Sequence, residues 1–211
     1  MPHGRIPRHV KIVAVILLLL FAKSTALAAE KVVLTFGDSL TAGYGLPAAD
    51  AFVARLQAAL SGQGHAVLVK NGSVSGDTTS GGRARLAWTV AGQVDLVILE
   101  LGANDALRGV KPSLTRRNLD AMLTALKRRK IPVLLAGMLA PPNWGPEYSK
   151  AFNSIYPDLA KAHDVMLYPF FLKGVAAQQK LNQRDGIHPN AAGVKVIVAG
   201  IAPYVLVLLD R

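Results

Sequence analysis

Five short runs of aliphatic and β-branched residues recur along the chain, at 31–36 (KVVLTF), 65–70, 94–101, 131–138 and 165–168, and a helix-like stretch separates each from the next. Apolar runs of this length without polar alternation are strands buried on both faces. The stretches between them predict helices over 48–61, 79–91, 113–130, with Ser113 as N-cap, and 147–162. Strict alternation leaves few options: consecutive strands run parallel in one sheet, flanked by helices. A last segment, 189–209, opens on Pro189 and Asn190 and carries an apolar run from Val196 to Leu209. Lys195 at its edge, Pro203 within it and a length well short of the roughly 20 residues of a bilayer span make it a helix packed on the sheet. No repeat, charge block or low-complexity linker divides the chain, so residues 29–211 are expected to form one domain.

Residues 1–28 belong to a different grammar. Arg5, Arg8 and Lys11 precede the apolar run Ile12 to Ala22, and Ala26-Leu27-Ala28 offers small residues before a cut. This is the pattern of a cleaved secretory signal peptide, with an uncleaved anchor as the alternative. It implies a periplasmic or secreted protein. The leader carries four of the 24 Lys+Arg residues and no acid, which leaves 20 bases against 13 acids, near +7, for the rest. Those bases are scattered, with no aromatic-interleaved basic stripe, so nucleic acid is not an expected partner. The 211 residues contain no cysteine, which excludes a disulfide scaffold, thiolate metal sites and cysteine nucleophiles.

Ligands of an open parallel sheet bind beyond the carboxyl ends of its strands. Polar residues cluster there: Gly37-Asp38-Ser39-Leu40 after the first run, Asn71 to Asp77 after the second, Gly102-Ala103-Asn104-Asp105 after the third. Asp185-Gly186-Ile187-His188 stands before the last helix. Ser39 at a strand end needs a base to become a nucleophile. His188 would supply it, oriented by Asp185 three residues earlier. Gly76 and Asn104 would supply a backbone N–H and a side-chain amide to a developing oxyanion. Taken singly, each has a plainer reading as a turn residue, helix cap or surface side chain; four groups placed after four elements carry the chemistry together.

These four blocks, with Ser75-Gly76-Asp77-Thr78, Glu100-Leu101-Gly102 and Asp185 to Asn190, resemble those of the SGNH, or GDSL, hydrolase superfamily, in order and across the whole of 29–211. The resemblance implies a three-layer αβα sandwich around a flavodoxin-like parallel sheet of about five strands. It implies Ser39, Asp185 and His188 as catalytic residues, and an oxyanion hole from the Ser39 and Gly76 N–H groups and the Asn104 side chain. No metal or cofactor is implied. The expected activity is hydrolysis of small-molecule acyl esters or thioesters, of the arylesterase, acyl-CoA thioesterase or lysophospholipase type. A monomer with transient contact with membrane lipids is expected. Ala103 is a departure, since the family pattern carries a second glycine there; the added methyl bears on substrate scope.

Leu107, Val110 and Met138 are expected to line an acyl pocket, with Leu107 and Val110 on one wall within 102–112. Asp38 reads as structural, its side chain turned from Ser39. His65 and His163 read as ordinary surface or edge histidines, and Arg83, Arg85, Arg108, Arg116 and Arg117 mostly as solvent-facing helix charges. Two other functions remain open on sequence. A carbohydrate O-acetylesterase would use Asn143, Trp144 and Tyr148 to frame a sugar. A non-catalytic envelope ligand-binding module would keep the pocket without the chemistry.

Overall fold

The structure, a computed structural model, describes residues 29–211. The expected leader, 1–28, lies outside the described residues. Five strands, β1 (Lys31–Gly37), β2 (Val67–Asn71), β3 (Leu96–Glu100), β4 (Val133–Ala136) and β5 (Met166–Tyr168), form one parallel sheet in the order β2-β1-β3-β4-β5. Every residue of β3 and β4 is buried, as their apolar sequences, broken only by Glu100 at the end of β3, require, whereas the edge strand β2 alternates Val67 in, Leu68 out, Val69 in.

Helices α1 (Ser39–Ala42), α2 (Phe52–Ser61), α3 (Thr79–Thr89), α4 (Ala103–Leu107), α5 (Pro112–Arg128), α6 (Gly145–Asn153), α7 (Ile155–His163) and α8 (Ala191–Leu209) fill the connections. α2 and α8 pack together as one layer, while α3, α5 and α7 pack in sequence as the other. The result is the expected αβα sandwich. Phe36, Phe52, Leu56, Ile98, Leu99 and Phe171 are among the fully buried side chains between the layers.

The helix expected over 48–61 is a 3-10 turn at Ala48–Asp50 followed by α2, and prolines decide two further departures. Ser113 is not the N-cap of α5: Pro112 takes the first helical position, where its missing N–H costs nothing, and Lys111 stands at the cap. The helix expected over 147–162 is two, broken at Ser154. Pro157 explains the break, because it has no N–H for the Asn153 carbonyl and its ring crowds that oxygen. The last helix matches expectation. Asn190 caps it, its Oδ1 accepting from the N–H groups of Ala192 (2.9 Å) and Gly193 (3.1 Å). α8 is long and apolar enough to cross a membrane, but Val194, Ile197, Val198, Ile201 and Val205 are buried against the domain.

Candidate active site

The strand order reverses direction of growth between β1 and β3, and such a reversal opens a crevice at the carboxyl ends. Gly37 and Glu100 are register partners there, so Asp38-Ser39 and Leu101 to Asn104 leave the sheet side by side. The loop after β2 is stitched to the same end: Gly72 N–H donates to the Thr35 carbonyl (2.8 Å) and Val74 N–H to that of Gly37 (3.1 Å). That loop turns at Gly76, whose φ of +80° is a left-handed conformation that side chains disfavour. Its N–H has no acceptor among the described residues.

Ser39 opens α1, and His188 meets it from a loop 149 positions later. His188 Nε2 lies 2.9 Å from Ser39 Oγ, and Nδ1 lies 2.6 Å from Asp185 Oδ2. Asp185 Oδ1 accepts the N–H groups of Ile187 (2.9 Å) and His188 (3.0 Å), which folds the Asp-Gly-Ile-His segment into one tight turn. The His188 backbone N–H, its ring and the Ile187 N–H hold the Asp185 carboxyl down, at a pKa of about 2. A carboxylate only accepts, so Nδ1 carries the imidazole proton and Nε2 presents its lone pair to the Ser39 hydroxyl. Tyr44 lies over the imidazole, ring centroids 4.6 Å apart.

Asn104 sits in the first turn of α4, and its Nδ2 donates to Asp38 Oδ2 at 3.1 Å. Asp38 is fully buried and does turn from Ser39, as expected, yet it grips the amide that faces the site. Its Oδ1 caps α1 by accepting the Leu40 N–H at 3.0 Å. Burial pushes the Asp38 carboxyl up to about 6 against the pull of those two donors. Beneath it lies Glu100, also fully buried, whose Oε2 takes hydrogen bonds from Thr41 Oγ1 (3.1 Å) and Asp38 N–H (3.4 Å). Burial and the nearby Asp38 raise the Glu100 carboxyl well above the usual carboxylate range. Sequence reading named Glu100 only as part of the Glu100-Leu101-Gly102 block and gave it no role; an acid next to last in the apolar run VDLVILEL was the signal that it is buried.

A cavity of about 290 Å³ opens beside Ser39 and His188, walled by apolar groups that include Leu107, Met138, Leu139, Phe170 and Ile187. Leu107 and Met138 stand where expected. Val110 does not: after α4 the chain turns at Gly109 (φ +64°), Val110 N–H closes the turn on the Asp105 carbonyl at 2.9 Å, and its own carbonyl accepts the Tyr148 hydroxyl at 2.8 Å. Val110 is off the cavity wall. The Ala103 methyl is part of the lining.

Arg85 also departs from its reading as a solvent-facing charge. Its guanidinium stacks 4.0 Å over the Phe36 ring, pairs with Asp77 (Nε to Oδ2, 2.6 Å) and donates to the carbonyls of Gly37 (3.0 Å) and Gly72. It therefore ties the Ser39 and Gly76 loops to each other. Arg108 donates to the Gly76 carbonyl at 3.1 Å. His163 pairs with Asp120 at 2.7 Å and His65 with Asp210 at 3.8 Å, both far from the site. Among the described residues, no three His, Asp or Glu side chains gather as a ligand set for a metal ion.

The GDSL-like lipase/acylhydrolase family model matches residues 35–196, a stretch that spans all four blocks. Esterase TesA of Pseudomonas aeruginosa is 40% identical over 186 residues, 88% of this chain and 92% of the relative. Thioesterase 1/protease 1/lysophospholipase L1 of Escherichia coli (strain K12) is 42% identical over 164 residues, 77% of either chain. A crystal structure of TesA superposes with a TM-score of 0.80 at 40% identity, covering 84% of this chain and 99% of that one. With a five-stranded parallel sandwich and these motifs at its switch point, the chain belongs to the GDSL-like lipase/acylhydrolase family and is a hydrolase of ester bonds.

Proposed function

We propose that the chain is an exported serine esterase that cleaves acyl esters or thioesters through an acyl-Ser39 intermediate. The observation that carries this reading is the unbroken relay from Asp185 through His188 to Ser39, at 2.6 and 2.9 Å, opening onto an apolar cavity. Ser39 Oγ attacks the acyl carbonyl carbon while its proton passes to His188 Nε2. The carbonyl electron pair moves onto oxygen, and the N–H groups of Ser39 and Gly76 and the free N–H of the Asn104 amide receive that charge. Asp185 keeps Nδ1–H in place and stabilises the imidazolium. Collapse expels the alcohol or thiol, which takes the proton from Nε2. Water then loses a proton to the same nitrogen and attacks the acyl-serine ester; collapse expels Ser39 Oγ, which takes that proton back from Nε2, and releases the carboxylic acid.

The apolar lining favours an acyl chain over a sugar ring. Trp144 commits its ring N–H to the Ala106 carbonyl (2.7 Å) and Tyr148 its hydroxyl to that of Val110, which leaves neither donor for sugar hydroxyls. The names of the relatives support arylester, thioester and lysophospholipid substrates as one acyl-transfer class. Ser39→Ala and His188→Ala are each expected to remove nearly all esterase activity, and the double variant to be hardly worse than either, because nucleophile and base act as one unit. Additive losses on soluble, folded variants contradict the pairing.

A further inference from the structure

Six large apolar side chains stand exposed around the cavity mouth: Tyr44, Val74, Leu107, Leu139, Trp144 and Ile187, each between 44% and 53% accessible. They come from the loops after β1, β2, β3 and β4 and from the turn that carries His188, so the topology gathers them at one edge of the sheet. The cavity alone does not account for them. Leu107, Leu139 and Ile187 line it, but Tyr44, Val74 and Trp144 extend the apolar surface beyond it. Exposed large apolar side chains gathered at one end of the sheet mark a contact surface.

Trp144 is suited to leave water. Its ring N–H is already bonded inward to the Ala106 carbonyl, so immersing the outer edge of the ring strands no donor. Exposed bases sit at this same end of the sheet: Arg108 follows Leu107, Lys173, on the loop after β5, follows the cavity residue Leu172, and Arg184 lies three positions before Ile187. The acids at this edge are largely spoken for, Asp185 by His188 and Asp77 by Arg85; Glu147 of α6, exposed, has no such partner among the described residues. The rim is apolar at its centre and positive around it. That combination is complementary to an anionic phospholipid surface, where aromatic rings sit at headgroup depth and basic residues add attraction.

We propose that the cavity rim is a docking face for an anionic phospholipid bilayer, so that an acyl chain passes from the lipid surface into the cavity without crossing bulk water. Docking follows from the rim alone; only the passage of the chain to Ser39 rests on the esterase reading. The chain has two tryptophans, Trp144 on the rim and Trp88, 69% accessible, on α3. In a Trp88→Phe protein, Trp144 is then the sole reporter of where the surface is touched.

The experiment mixes purified protein with vesicles of phosphatidylcholine containing one quarter phosphatidylglycerol, and with phosphatidylcholine alone. Ser39→Ala is used as background, so that loss of hydrolysis leaves the docking readout intact. Trp88→Phe is expected to show a blue-shifted Trp144 emission on the anionic vesicles only, while Trp144→Phe, reporting through Trp88, shows none. Lys173→Gln/Arg184→Gln should weaken co-sedimentation about 25-fold, from roughly fivefold per basic residue, and should leave turnover of a water-soluble short-chain ester on the Ser39 enzyme unchanged. The proposal is overturned by an unshifted Trp144 on vesicles that do bind the protein, by equal binding to phosphatidylcholine alone, or by no binding at all. An inactive enzyme that docks through Trp144 contradicts the esterase reading and leaves the docking face standing.

Discussion

Asp38 lies one position from Ser39 in sequence and works on a residue 66 positions away. Its carboxyl holds the Asn104 amide at 3.1 Å, fixing which of the two amide N–H groups remains for the oxyanion. Asp38→Asn removes that anionic acceptor and is expected to lower kcat about tenfold with little change in KM, less than the roughly 10²–10³ of deleting an oxyanion donor outright. The same substitution has a pH signature. With its pKa raised from 3.8 to about 6 by burial, Asp38 binds its proton more tightly folded than unfolded. The stability this gives is full below pH 3.8 and is lost as pH rises through 6, a change of order 3 kcal/mol. Asparagine does not titrate, so the stability of the variant relative to the parent should improve between pH 4 and pH 8. Denaturant unfolding at those two pH values checks this, and a pH-independent difference contradicts it. Sequence motifs located Ser39, His188, Asp185 and Asn104 because each sits in a short, ordered block. They could not assign Asp38 or Arg85, whose partners are set by which loops the register of β1, β2 and β3 brings together.

At the level of elements, α4 is the cavity wall with the firmest mounting. Asp105 is fully buried and accepts from the Thr79 N–H (2.8 Å), the Thr79 hydroxyl (2.5 Å) and the Thr115 hydroxyl (3.1 Å), while Trp144 holds the Ala106 carbonyl. Leu107 thus projects from a fixed helix end. Apolar burial is worth about 0.8 kcal/mol per CH₂, so kcat/KM should climb up to about fourfold per methylene of the acyl chain until the cavity is full. Leu107→Ala should flatten that climb while acetyl-ester turnover stays near the parent value; an equal loss on acetyl and longer esters contradicts the wall assignment. The expectation that Val110 joins this wall failed on a single backbone angle, the left-handed φ of Gly109, which no hydrophobic pattern reveals. Helix existence was legible from periodicity; the start of α5 and the break before α7 turned on Pro112 and Pro157, local rules present in the sequence but outweighed there by a serine cap and an unbroken apolar spacing.

For the whole molecule, the parallel sheet divides labour between its two edges. All candidate chemistry lies at the carboxyl ends, and the chain enters at the opposite one, where Lys31 begins β1 and its ammonium bonds the Leu209 carbonyl of α8. Seven residues of strand, about 23 Å at 3.3 Å per residue, separate the point of entry from the site. A retained leader would tether the domain by the edge that faces away from its cavity. We therefore expect N-terminal sequencing of exported protein to begin at Ala29 or Glu30; an intact N-terminus on protein recovered from membranes contradicts cleavage. The parallel αβα class was legible because short apolar runs alternate strictly with helix-like stretches, and the central ones, β3 and β4, are apolar enough to be covered on both faces. The order β2-β1-β3-β4-β5 was not legible from alternation, which is silent on the side of β1 where each later strand is laid. The central claim is that Ser39 forms a covalent bond with the acyl group, and reaction with an organophosphonate followed by intact mass and peptide mapping tests it most directly. One phosphonyl group per chain on Ser39, lost in Ser39→Ala and strongly slowed in His188→Ala, is the predicted result; a well-folded protein that repeatedly fails to label, or labels elsewhere, contradicts it.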